Sequence, residues 1–208
     1  MNTGSIALVS TTPPEFQQAD SARARKPKKD SMYSKTSSYG LSKHDRQWPL
    51  IPKYPGLITY VPMNLFAANK DDHLVHCVSR DLHMGAGIAK TFKHMYPEMI
   101  PAIRGSAVLH DFIAFHPDDD SPRLIFNLIT KIHYRDLPTK KDLFKTLIAL
   151  RDYCLENEIV RLCMPKIASG LDKIPWATTI YLLNYVFGVT DVKLFVYTGG
   201  PGCGRINV

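Results

Sequence analysis

Residues 1–56 follow no apolar period and are dominated by Ser, Thr, Pro and Lys. From Leu57 the texture changes. Leu57-Ile58-Thr59-Tyr60-Val61 and Leu74-Val75-His76-Cys77-Val78 are short apolar runs that predict strands. Ala107 to Phe115 and Leu124 to Thr130 predict two more, joined by the turn Asp118-Asp119-Asp120-Ser121-Pro122. Ile159 to Met164 and Val192 to Tyr197 predict the last two. Between these runs the period lengthens. Gly87 to about Tyr96 predicts a helix that ends before Pro97. Thr139 stands as an N-cap with Asp142 three residues on, and Leu143, Leu147, Leu150 and Cys154 recur at helical spacing to about Glu156. Trp176 to Phe187 predicts another helix, carrying Ile180, Leu183 and Tyr185-Val186-Phe187. Strands that alternate with helices predict an α/β domain around a mixed, mostly parallel sheet.

The 208 residues suffice for one ordinary domain with an appendage. The expected organisation is a disordered basic tail over 1–56, a domain over 57–198 and a flexible, glycine-rich end over 199–208. The formal charge of +7 is uneven: residues 1–56 hold nine Lys/Arg against four Asp/Glu, and the remainder 17 against 15. A basic tail suits a polyanion or an address, and Arg23-Ala24-Arg25-Lys26-Pro27-Lys28-Lys29 fits a nuclear import signal as well as a solvated linker. Cys77, Cys154, Cys163 and Cys203 show no paired spacing, which predicts no zinc site and a reducing, intracellular home, with Cys77 and Cys163 as small core residues. No apolar run is long enough for a membrane span. The first twenty residues hold no Lys or Arg, which supports neither a signal peptide nor a mitochondrial presequence.

Ligands of such sheets gather at the carboxyl ends of the strands. Met84-Gly85-Ala86-Gly87 opens a helix there, and free amides at a helix start bind anions, although the turn also suits a plain helix start. It matches neither a P-loop nor GxGxxG. Ala168-Ser169-Gly170 follows another strand, and its successive amides can make an anion nest, or an ordinary loop. Two such nests suit a diphosphate. Lys131 ends a strongly apolar run; partly desolvated, a lysine there loses its proton more readily and can attack an anomeric carbon, whereas a solvated one is merely a surface cation. Asp172, after the second small-residue loop, can move a proton or stabilise an oxocarbenium ion, or be a loop aspartate. His73 and His76 are three apart on a strand, so they face opposite sides and cannot share a metal; His110, His116 and His133 have no ligand spacing. Neither a metal nor another cofactor is expected.

Together, these blocks resemble a macrodomain of the terminal ADP-ribose protein glycohydrolase subgroup, also described as O-acetyl-ADP-ribose deacetylases. The resemblance runs from Ile58 to Thr198. It rests on the order of Thr59-Tyr60-Val61, Asn64-Leu65-Phe66-Ala67, His76-Cys77-Val78-Ser79, Met84-Gly85-Ala86-Gly87-Ile88-Ala89, Leu128-Ile129-Thr130-Lys131, Pro138-Thr139, Met164-Pro165-Lys166-Ile167, Gly170-Leu171-Asp172 and Val196-Tyr197-Thr198. It implies a three-layer α/β/α fold and removal of ADP-ribose, singly or as a chain, from acidic side chains. It implies that Lys131 attacks the terminal ribose to form an adduct that Asp172 helps resolve. It further implies that Ser79, Tyr197 and Gly199 contact the ligand, that Asn64 and Leu65 lie towards the adenine, and that Gly85, Ala86, Gly87 and Ile88 face Lys166, Ile167, Ala168, Ser169, Gly170 and Leu171 across the phosphates and ribose. The implied partners are ADP-ribosylated proteins, poly(ADP-ribose), ADP-ribose and O-acetyl-ADP-ribose, for a monomer in nucleus and cytoplasm acting in the DNA damage response.

The chain departs from the family pattern in several places. Met63-Asn64 replaces Gly-Asp, so the adenine amino group meets an amide oxygen without charge. Ala168-Ser169-Gly170 replaces Gly-Cys-Gly; if Ala168 needs a positive φ, the strain is about 1 kcal/mol or more. Gly199-Gly200-Pro201 extends the chain where the family ends. A reader without turnover, a phosphatase for ADP-ribose 1″-phosphate and a nucleic-acid binder acting through the basic tail are the rival expectations.

Overall fold

The computed structural model describes residues 56–117 and 120–200. The expected basic tail, most of the glycine-rich end and two residues of the 118–122 turn lie outside the described residues. Along the chain run β1 (Ile58–Asn64), a 3-10 turn (Leu65–Ala67), β2 (His73–Ser79), α1 (Gly87–Met95), α2 (Met99–Ile103), β3 (Phe112–Phe115), β4 (Ile125–Lys131), α3 (Lys140–Glu156), β5 (Arg161–Met164), α4 (Trp176–Phe187) and β6 (Lys193–Gly199). Among the described residues the strands form one six-stranded sheet in the order β1-β6-β5-β2-β4-β3. Every neighbouring pair is parallel except β3 with β4.

β4 shows why the sheet is covered on both faces. Its first six residues are all buried. Phe126 and Leu128 point to one side, where Leu143, Leu147 and Leu150 of α3 and Leu183, Val186 and Phe187 of α4 close the core. Ile125 and Ile129 point to the other, against Phe92 of α1 and Met99, Ile100 and Ile103 of α2. The period of two along the strand thus feeds two cores, and the result is a three-layer α/β/α sandwich. Each fully buried large side chain stabilises it by about 1.5–3 kcal/mol.

The two histidines of β2 divide as their spacing predicts. His73 packs edge-on to Phe126, and its Nδ1 accepts from the Leu124 N–H at 3.0 Å. His76 faces the opposite core and stacks on Phe92 with centroids 3.9 Å apart. Its Nε2 lies 2.8 Å from Asn127 Oδ1, while Asn127 Nδ2 donates to the carbonyls of Ile113 and Ile125. His76 Nδ1 has no partner. Burial, only partly opposed by the Asn127 bond, pushes the imidazole down to about 3, so it is neutral in the folded state.

Several element bounds differ from the sequence expectation. The run from Ala107 is extended only from Phe112, because His110 adopts φ 71° and the Asp111 N–H closes a turn on Val108 O. β1 runs on to Asn64, with a register irregularity after Val61 that accommodates Pro62 on an edge strand. The short α2 contains Pro101, which an early helical position tolerates, and three apolar anchors hold it. Gly199 belongs to β6, not to a loose end; a Cβ there would lie 2.9 Å from the Met63 carbonyl carbon. No helix of the described residues is long and apolar enough to cross a membrane.

The capping box at α3 is present. Thr139 Oγ1 accepts from the Asp142 N–H at 3.1 Å, and Asp142 Oδ2 accepts from Thr139 N–H and O–H. Asp142 Oδ1 also meets His110 Nε2 at 2.6 Å. Partial burial opposes the charge, but the Thr139 and His110 contacts outweigh it and hold the carboxyl below its usual range. A depressed carboxyl stabilises above its unfolded value and loses that effect as pH falls through the folded one. Asp142→Ala is expected to destabilise by about 1–2 kcal/mol near neutrality, with a difference that shrinks below about pH 4 in urea denaturation across pH. His76 has the same sign by another route: its lowered value stabilises fully above about pH 6.5 and progressively less towards pH 3. A His76→Phe variant, if it folds, should therefore lose less of its stability than the native chain between those values.

Candidate active site

Lys131 is the last residue of β4, and two buried faces behind it leave its side chain one direction, past the carboxyl edge of the sheet. There its Nζ donates to Asp172 Oδ1 at 2.7 Å. The pair is nearly closed from solvent, with side chains 11% and 12% exposed. Asp172 lies in the loop between β5 and α4. That loop is folded on itself by Ile167 N–H to Pro165 O, Lys173 N–H to Gly170 O and Ile174 N–H to Ala168 O.

The pair lines a cleft of about 680 Å³. One wall is the turn into α1 and the start of that helix: Gly85, Ala86, Gly87 and Ile88. Ala86 is the N-cap and supplies no side-chain cap, so the first-turn amides stay available to an anion. The other wall is the loop after β5, with Lys166, Ile167, Ala168, Gly170 and Leu171. Ser79, opposite Lys131 in the β2–β4 register, also lines the cleft. Leu171 bridges the walls, since a Cβ on Gly87 would lie 3.4 Å from its Cδ1.

The remaining expected residues do not line this cleft. Leu65 and Tyr197 are buried in the α1-side core, and Cys163 hydrogen-bonds Tyr197. Ser169 turns its hydroxyl to Ile167 O at 3.1 Å. Asn64 is exposed at the end of β1, where its Oδ1 caps the 3-10 turn by accepting from Phe66 N–H. Gly199 packs on the backbone of Met63.

Backbone strain collects in the two walls. Met84 and Ala168 adopt positive φ there, with Ala168 at 56°, and so do Leu82 and Lys173 in the same two loops. Burial of Leu82, Met84 and Ala168 holds these conformations in place.

Of the cleft residues not expected from sequence as site residues, three carry ionisable side chains. Cys77 is half-buried and faces the cleft instead of lying wholly in the core. Burial and then the Asp172 carboxylate push its thiol up, so it stays protonated beside Lys131. The other two, His83 and Tyr134, stack with centroids 4.1 Å apart. Gly85 permits this, because a Cβ there would lie 2.6 Å from His83 Nε2. Beneath them Asp81 accepts from Ser79 O–H at 2.5 Å, from Tyr134 N–H at 2.9 Å and from His83 N–H at 3.3 Å. Burial works against the Asp81 charge, but these donors hold its carboxyl below the usual range. No sequence period signals a contact between loops 50 residues apart. Among the described residues no cluster of three His, Cys, Asp or Glu could hold a metal.

No family profile matches the chain. It is 38% identical over 141 residues to ADP-ribose glycohydrolase OARD1 of Homo sapiens, an alignment that spans 68% of this chain and 91% of that protein. This chain is a macrodomain of the terminal ADP-ribose glycohydrolase type. Proteins of that type are hydrolases. The solved macrodomain of Mycobacterium tuberculosis DarG has a TM-score of 0.62 at 27% identity, over 70% of this chain and 99% of that one. A DNA ADP-ribosyl glycohydrolase of Mycobacterium tuberculosis is 29% identical over 160 residues, which cover 73% of this chain and 45% of that protein.

The macrodomain's departures from the family pattern now have a geometry. Asn64 serves as cap acceptor without a charge. Ala168 carries a methyl at positive φ, a strain of about 1–2 kcal/mol. The same methyl is buried, which offsets about 0.8 kcal/mol of it. Ala168→Gly should therefore shift stability by less than about 1 kcal/mol. Ala168→Val adds a branched side chain at that φ and should destabilise by about 2 kcal/mol or more. Chemical denaturation of both variants checks the contrast.

Proposed function

We propose that this macrodomain releases ADP-ribose from glutamate and aspartate side chains of proteins and deacetylates O-acetyl-ADP-ribose, with Lys131 as nucleophile and Asp172 as the proton-transfer group. The observation that carries the reading is the 2.7 Å Lys131–Asp172 contact, nearly closed from solvent between two small-residue walls. The α1 amides and the loop of Lys166 to Leu171 suit a diphosphate, which directs the terminal ribose to Lys131.

The chemistry follows from that contact. An ammonium has no lone pair, so Lys131 first passes a proton to Asp172, within hydrogen-bond reach. The amine then attacks the anomeric carbon, and the bond from that carbon to the ester oxygen breaks with its electrons on the departing carboxylate. The carboxylate takes the proton that Asp172 holds. Asp172, ionised again, accepts a proton from water as the water oxygen attacks the same carbon. The carbon–nitrogen bond breaks with its electrons on Lys131, which recovers a proton from Asp172. Atoms and charge balance, and the pair ends as it began. Cys77 is no rival nucleophile, because its thiol is held protonated.

On this reading the substrates are ADP-ribosylated proteins, including terminal units of poly(ADP-ribose), and the adenine lies towards Asn64 and the end of β6. The tail over 1–56 serves as an address and the domain over 57–198 works as a monomer.

Single-turnover release of ADP-ribose from glutamate-modified protein tests the proposal. Lys131→Ala and Asp172→Ala should each lower the rate by roughly 10²–10⁴-fold while the chain stays folded. Lys131→Arg should not restore it, since a guanidinium keeps its proton. A native chain that binds ADP-ribose and releases none would make this protein a reader and end the hydrolase reading.

A further inference from the structure

The order of the sheet gives the cleft a direction. The loop of Lys166 to Leu171 follows β5, the glycine turn follows β2, and Lys131 ends β4, the next strand along. With the diphosphate at the first two, the anomeric carbon lies at β4. What leaves that carbon must depart towards the loop between β4 and α3. That loop exposes three large apolar side chains in six residues: Ile132 (42%), Tyr134 (43%) and Leu137 (56%). Tyr134 also lines the cleft that holds Lys131.

Tyr134 is not loose. Its ring stacks on His83, its hydroxyl accepts from Arg135 Nε at 2.7 Å, and its backbone N–H donates to Asp81. Arg135 Cζ stands 5.2 Å from the ring centroid. An aromatic side chain held in this way offers contact area at little further loss of entropy. The acids beside it, Asp81 and Asp136, are matched by the Arg135 guanidinium, so charge decides little; the exposed apolar neighbours Ile132 and Leu137 favour peptide side chains over a phosphodiester backbone.

We propose that the Tyr134–His83 stack and the apolar β4–α3 loop form an acceptor subsite that binds the peptide flanking the modified glutamate or aspartate. It rests on the hydrolase reading above and adds a specificity determinant to it: Tyr134 touches the leaving group, His83 supports Tyr134, and Asp81 positions both.

The test compares two esters with the same scissile bond, ADP-ribose on free glutamate and ADP-ribose on a ten-residue glutamate peptide, using the full chain. Tyr134→Ala should lower the ratio of kcat/KM for the peptide ester to that for the free ester by tenfold or more. Tyr134→Phe, which keeps the ring, should hold the ratio within threefold of native. Thermal unfolding of both variants verifies that they fold; if Tyr134→Ala does not, Leu137→Ala should lower the same ratio by at least threefold. A ratio unmoved in Tyr134→Ala, with both esters slowed alike or neither, would overturn the subsite and leave the hydrolase standing. A ratio that falls for an ADP-ribosylated oligonucleotide and not for the peptide would overturn it in favour of a nucleic-acid acceptor. No turnover of either ester by the native chain would remove the hydrolase reading and this one with it.

Discussion

Burial of β4 on both faces governs the rest of the site. With Phe126 and Leu128 locked against α3 and α4, and Ile125 and Ile129 against α1 and α2, the strand can neither slide nor rotate without emptying two cores. A slip of one residue would exchange the faces of every side chain. Lys131, the next residue, is therefore delivered to one place, and Asp172 must be brought to it. The loop after β5 does so by folding on its own carbonyls.

That arrangement explains where strain is tolerated. The loops on either side of Lys131 hold Leu82, Met84, Ala168 and Lys173 at positive φ. A rigid sheet and buried anchors can impose such conformations, whereas a free loop would relax. The outcome is a cleft with small residues at both turns, Gly85 to Gly87 and Ala168 to Gly170, and the Lys131–Asp172 contact between them.

Elements with a strong period were legible from the sequence. α4 runs from Trp176 to Phe187 as expected, and the box of Thr139 and Asp142 starts α3. Lys131 and Asp172 stand out as candidates because a strand end and a small-residue loop mark ligand positions in α/β sheets, and the ordered blocks marked the family. The failures also have physical causes. Val108 and Leu109 read as strand, but a turn at His110 delays β3 to Phe112. α2 was not legible from the sequence: it is five residues long, contains Pro101, and is held by Met99, Ile100 and Ile103 in the core. Tyr197 alternates into the α1-side core and does not reach the cleft.

Taken by itself, the sequence determined the alternation of strands and helices and the family, and it marked Lys131 and Asp172 as candidates for the chemistry, because those depend on local periods and on residue types in order. Tertiary structure alone decided that Lys131 and Asp172 stand 2.7 Å apart, that Cys77 faces them as a protonated thiol, and that His83 stacks on Tyr134. These are contacts between segments about 40 to 95 residues apart, and no local propensity encodes them. They exist because one sheet, buried on both sides, brings the carboxyl ends of β2, β4 and β5 to a single edge.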